Sequence, residues 1–160
     1  MKRQAPRLDK KDNIKIVCQN KRARFEYEIF EAYEAGMVLQ GTEVKSLREG
    51  RANLSDSYAE FRHGEVVLVG SHISPYPQGN RENHDPIRPR KLLLNKREIR
   101  KLHGKTQEKG LTLIPLKIYF KQGRAKVEVA LARGKKLYDK RETLKRRSEE
   151  RQMEREVRWR

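Results

Sequence analysis

A single cysteine, Cys18, and a single tryptophan stand in 160 residues. One thiol excludes an intramolecular disulfide and a thiolate metal cluster, and after two β-branched residues it is expected to serve packing. No run comes near the ~20 apolar residues that span a bilayer, and MKRQAPRLDKKDNIK has no apolar leader core, so a cytoplasmic location and no membrane partner are expected. The four histidines, His63, His72, His84 and His103, complete no HExxH, and neither G-x-S-x-G nor a phosphate-cradling GxxxxGKS/T occurs. His84-Asp85, with His72 upstream, is the one set that could hold a metal or move a proton, and such sets recur by chance in loops. No catalytic residue, metal or cofactor is assigned on this basis.

Positive charge is what the chain has in excess. Lys and Arg number 39 against 22 Asp and Glu, a net +17. The simplest physical use of that balance is the neutralisation of phosphates, which makes nucleic acid the first expected partner.

The charge is unevenly spread, and three parts follow: a basic arm over 1–12, a middle over 13–132 rich in Val, Ile, Leu, Tyr and Phe, and a tail over 133–160. The tail holds 12 Lys or Arg and 6 Asp or Glu, with large apolar residues reduced to Leu137, Tyr138, Leu144, Met153, Val157 and Trp159. So few cannot offset the ordering of the segment, which is expected to gain helical shape from a partner. Glu149-Glu150-Arg151 and Glu154-Arg155-Glu156 offer (i, i+3) and (i, i+4) pairs along such a helix, each contributing only ~0.2–0.5 kcal/mol.

The middle alternates in the manner of strands. Phe25, Tyr27 and Ile29 point one way; SYAEF and VVLVGSHI flank the turn Arg62-His63-Gly64-Glu65 as a hairpin. A second hairpin turns at Lys121-Gln122-Gly123-Arg124, with Leu116, Ile118 and Phe120 facing Val127, Val129 and Leu131, and Lys117, Lys126 and Glu128 on the wet side. Two segments carry helix signals. GTEVKSLREG offers Thr42 as N-cap and Gly50 beyond the end, while Asn95 with Glu98 spells a capping box stapled by Leu94 and Ile99, interrupted at Gly104. The expected fold is mainly β: an OB-like antiparallel Greek-key barrel with about two to three flanking helices. Pro77 to Arg90 reads as an exposed loop on it.

Candidate RNA-binding residues fall in three places. Asn20, Lys21, Arg22 and Arg24 lead into Phe25, cations that can meet phosphates beside a ring that can stack on an unpaired base; a strand edge guarded by charge, with Phe25 in the core, explains the same residues equally well. Arg88, Arg90 and Lys91 put charge before Leu92-Leu93-Leu94-Asn95, where packing and capping are the plainer explanations. Gly134, Lys135, Lys136, Leu137, Tyr138, Asp139, Lys140 and Arg141 are basic and aromatic-bearing where the core runs out.

Read in order, NKRAR, EAG, LQGTEVKSLREG, DSY, RKLLLN and GKKLYDKR resemble the SmpB family from Asn20 to Arg141. The resemblance implies an OB-fold barrel that grips the tRNA-like domain of transfer-messenger RNA (tmRNA), with a C-terminal tail that becomes helical in the empty decoding site and mRNA channel of a stalled ribosome. It implies RNA contacts at Glu34, Leu93, Asn95 and the cations of NKRAR. It also implies ribosome contacts at Lys135, Lys136, Asp139, Lys140 and Arg141, with Gly134 as the junction and a monomer on the RNA. Phe25 stands where the family often carries His, so stacking is the contact expected there. A structural ribosomal protein with a basic extension, or an RNA-modifying enzyme, would share the composition but not the ordered words.

Overall fold

The computed structural model describes residues 13–108 and 110–158, so the basic arm over 1–12 and Trp159 lie outside the described residues. Among the described residues nine strands form: β1 (Ile14–Gln19), β2 (Tyr27–Met37), β3 (Ala52–Asn53), β4 (Tyr58–Arg62), β5 (Glu65–Val69), β6 (His72–Ile73), β7 (Arg90–Leu93), β8 (Leu111–Lys121) and β9 (Arg124–Gly134). The helices are α1 (Ala23–Glu26), α2 (Gly41–Arg48), α3 (Lys96–Thr106) and α4 (Leu137–Arg158), and a single 3₁₀ turn covers Asn80–Glu82. The sheet runs β1-β8-β4-β5-β7-β2-β9, and a further β8–β9 pairing closes it into an antiparallel OB-like barrel. Closure removes the long open edges that would invite pairing with other chains, leaving β1 as an added strand on β8. Among the described residues no helix is long and apolar enough to cross a membrane.

Both expected hairpins form with their expected turns: Arg62 pairs Glu65, and Lys121 pairs Arg124. The run VVLVGSHI does not stay one strand. At Gly70 the backbone takes φ +79 with the Asp56 carbonyl 3.0 Å from where a Cβ would stand, and the chain leaves β5 to pair His72–Ile73 with Ala52–Asn53.

Inside the barrel Val127, Val129 and Leu131 meet Leu113, Ile118 and Phe120, as the alternation requires. Leu116 departs from that expectation. A bulge between Pro115 and Lys117 turns it outward, where it packs with Ile114, Ala130, Ala132 and Ala23 in a second cluster beneath α1. Proline suits the bulge because its missing N–H spares the ladder one donor. A matching bulge between Ile29 and Glu31 lets β2 curve in the same way, and Ile29 also joins the outer cluster. Phe25, expected on a strand, lies half-buried in the short helix α1.

The helix starts follow cap chemistry. Asn95 caps α3 as expected, its N–H donating to Glu98 at 3.2 Å, and Leu94 and Ile99 pack on the core; α3 runs through Gly104 to Thr106. For α2 the cap is Gln40, whose N–H donates to Glu43 at 2.8 Å, rather than Thr42. The Thr42 hydroxyl instead meets His84 Nδ1 at 2.8 Å, and His84 Nε2 meets the Ile73 carbonyl at 2.8 Å. Both ring nitrogens are thereby engaged in tying down the 77–90 loop. Cys18 is half-buried, and burial pushes its thiol up to about 11, in keeping with a packing role.

α4 is already a helix from Leu137 to Arg158, whereas the sequence ties its order to a partner. Thr143 is the one buried side chain among its described residues. The expected Glu–Arg pairs do not close among the described residues, so the helix rests on the intrinsic preference of its Glu, Lys, Arg and Gln content.

Candidate nucleic-acid interface

One broad face of the barrel gathers Glu34 and Gly36 of β2, Leu93 at the end of β7, Leu94, Asn95, Glu98 and Lys126 of β9 around an open depression of about 440 Å³. Register explains the gathering. Gly36 stands opposite both Leu93 and Lys126, so three strands present these residues side by side. A Cβ at Gly36 would stand 3.2 Å from Leu93 Cβ, so the glycine lets the leucine lie flat across β2. Leu93 is 52% exposed, an apolar plate offered to solvent. The leucine triplet thus splits: Leu92 packs inside and Leu94 partly so, while Leu93 faces out.

Glu34 accepts from the Tyr119 hydroxyl, and Lys121 Nζ lies 3.5 Å from its Oε2. The Tyr119 bond, then Lys121 and Lys126, hold its carboxyl below the usual glutamate range against the opposing effect of partial burial. It is an ionised acceptor at neutral pH. On the other face of β2, Lys101 and Lys105 on the second half of α3 both reach Glu31, which is held down to about 2 chiefly by Lys105 and Tyr33. Lys96, Arg97 and Arg100, on the first half of the same helix, are exposed and make no ion pair among the described residues. Two cations in the first turn of a helix oppose its dipole, and Lys96 with Arg100 is a like-charge (i, i+4) pair.

Arg90 requires a correction. The sequence places it with the RNA-facing cations, but it is 0% exposed. Its Nε donates to Glu43 Oε1 at 2.8 Å, Nη1 to the Ser71 carbonyl at 2.8 Å and hydroxyl at 3.0 Å, and Nη2 to the Pro86 carbonyl at 3.1 Å. Arg88 closes the other side of Glu43 at 2.9 and 2.7 Å. A buried guanidinium needs all of its donors matched, and this one has no capacity left for phosphate. Lys91 is exposed and pairs with Glu65 at 2.6 Å.

A second basic area surrounds α1. Lys21, Arg22 and Arg24 are exposed. Asn20 is engaged structurally: its N–H donates to the Leu116 carbonyl at 2.7 Å and its Nδ2 to the Pro115 carbonyl at 3.1 Å, which satisfies the acceptors freed by the bulge. Gly134 pairs with Tyr27 at the end of β9, and Lys135 follows with its N–H on the Glu26 carbonyl at 2.8 Å. Lys135 Nζ joins the Arg24 carbonyl at 3.1 Å to the Thr143 hydroxyl at 3.2 Å, which roots α4 on α1. Lys136, Tyr138, Asp139 and Arg141 are exposed and Lys140 is half-buried.

The sequence reading missed Tyr119 and Lys121, which reach Glu34 on the first face, and the exposed cations Lys96, Arg97 and Arg100 that follow Asn95 on α3. Lys126 was placed on the wet side of its hairpin without being assigned to RNA, and the pairing of β2 with β9 is what brings it opposite Gly36.

A barrel of this build offers RNA a rigid wall, and α4, rooted on α1, adds a further basic surface, so the class defined is that of OB-like RNA-binding barrel proteins. The family model described as "SmpB protein" matches residues 17–159. The chain belongs to the SmpB family. It is 64% identical over 144 residues to the SsrA-binding protein of Desulforudis audaxviator, covering 90% of this chain and 94% of the relative. It is 58% identical over 150 residues to the SsrA-binding protein of Thermosynechococcus vestitus, covering 93% and 99%. A solved structure described as "tmRNA-SmpB: a journey to the center of the bacterial ribosome" superposes with a TM-score of 0.66 at 53% identity, covering 79% of this chain and 93% of that one.

Proposed function

We propose that this chain is a tmRNA-binding adaptor of trans-translation, acting on stalled ribosomes by positioning. The observation that carries this reading is the face on which an ionised Glu34, an exposed Leu93 and Asn95 lie together among lysines. The names of its SsrA-binding relatives and of the tmRNA-bound structural neighbour support it. Carboxylate and amide can accept from base edges and 2′-hydroxyls, Leu93 can pack on a base or ribose, and the neighbouring cations supply affinity through phosphates. Lys96, Arg97 and Arg100 extend that cationic border along α3. The tail, with Lys136, Tyr138, Asp139, Lys140 and Arg141 at its root, enters the decoding site and mRNA channel vacated when no message is present. The chain places the alanyl-tmRNA; the ribosome carries out peptide transfer.

The test is recovery of RNA crosslinked to the protein in cells, in which one tRNA-like species should dominate; a spread over ribosomal RNA of all ribosomes would oppose the reading. Binding to that RNA should weaken steeply with salt, each neutralised phosphate adding roughly −0.7 to −0.9 to the slope of log K against log salt. Changing Lys96, Arg97 and Arg100 together to glutamine should flatten the slope by about two units. The same change should leave thermal stability unchanged or slightly raised, because it relieves repulsion at the start of α3. An unchanged slope would remove α3 from the interface.

A further inference from the structure

We propose that Tyr119 is the positioning residue for the Glu34 carboxylate, so that RNA recognition on β2 is set from β8, two strands away. This rests on the assignment of Glu34 to the RNA face. β9 runs between the two strands, with Glu128 opposite both Glu34 and Lys117, and Lys126 opposite both Gly36 and Tyr119. The Tyr119 ring lies across β9 to reach Glu34, and only 5% of the residue is exposed.

A buried phenol needs a partner for its hydroxyl, and the Glu34 carboxylate is that partner. The bond is therefore fixed from the tyrosine's side. Lys121, by contrast, ends in a flexible four-carbon stem and approaches the same oxygen, Oε2, at 3.5 Å. Lys117 completes the support by lying over the Tyr119 ring at 5.5 Å while pairing with Glu128 at 3.1 Å. With Oε2 occupied from within the protein, Oε1 is the oxygen left to accept from RNA.

The function of the hydroxyl follows from this geometry. An exposed glutamate samples several rotamers and loses that freedom on binding; one already fixed by a rigid donor loses less and offers its acceptor in a single place. The lowered carboxyl pKa agrees, since the Tyr119 bond is its largest cause. Tyr119 touches no RNA in this scheme, because its ring is enclosed.

Tyr119→Phe keeps the ring and removes only the donor. A transcript of the tmRNA tRNA-like domain should bind this variant about five- to tenfold more weakly, with an unchanged salt slope, because no phosphate contact is lost. In a Glu34→Ala background the same substitution should have no further effect. Independently of RNA, the Glu34 carboxyl, followed by carbon NMR, should titrate at higher pH in Tyr119→Phe than in the parent. Equal losses from Tyr119→Phe with and without Glu34 would overturn the proposal, as would a full effect of Glu34→Ala beside none for Tyr119→Phe. If Glu34→Ala itself leaves binding unchanged, the assignment of Glu34 falls and the proposal falls with it.

Discussion

Replacing Glu43 with alanine is expected to lower the melting temperature by roughly 10–15 °C in a calorimetric or circular-dichroism melt, corresponding to about 3–5 kcal/mol. Glu43 is 0% exposed, and it joins the N-terminus of α2, the buried Arg90 of β7 and the Arg88 end of the loop. Removing it strands a guanidinium that cannot reach water. The double change Glu43→Gln with Arg90→Met should be less damaging than Glu43→Ala alone, because it removes the buried charge along with its partner. Equal or greater loss in the double variant would contradict this account. Burial raises the Glu43 carboxyl pKa, but Arg88, the Gln40 N–H and Arg90 outweigh it and hold the group below the ordinary 4.5. A depressed folded pKa means the stabilisation is complete above the unfolded value and is lost as pH falls through the folded one, so this network loosens only under acid.

Cutting the chain after Arg133 is expected to leave binding of the tRNA-like domain within about threefold at physiological salt. The same truncation should reduce tagging on stalled ribosomes to background in a reconstituted translation assay. The structural reason is that α4 buries Thr143 alone among its described side chains, so the barrel loses almost no packing with it. Loss of RNA binding in parallel with tagging would refute the division between wall and tail.

The hairpins and the α3 capping box were legible because their causes are local: a glycine-bearing turn, alternation with period two, an Asn three residues before a Glu. The main core followed for the same reason. Leu116 did not, since a bulge at Pro115 depends on how tightly β8 must curve to close the barrel, and curvature is a property of the whole sheet. Arg90 failed for a related reason. Its burial is decided by Glu43, 47 residues earlier, and by Ser71, neither of which is its neighbour in sequence.

The candidate site was legible in part. Glu34, Leu93 and Asn95 came from resemblance, and register then showed them side by side with Lys126. Alternation puts Tyr119 on the wet side of the ribbon with Lys117 and Lys126, but nothing local shows that its ring lies covered across β9 with its hydroxyl on Glu34.

The root of α4 on α1 bears on how the far end of the tail finds its place. A 22-residue helix is about 33 Å long, and it is held at the Lys135 and Thr143 contacts alone among its described hydrogen bonds to the barrel side. Arg158 lies about 22 Å beyond Thr143, so a tilt of about 10° there displaces it by about 4 Å, somewhat less than one helical turn. The hinge of the tail is thus a lysine ammonium shared between a backbone carbonyl and a threonine, so the far cations swing by a few ångströms for a small turn at that point.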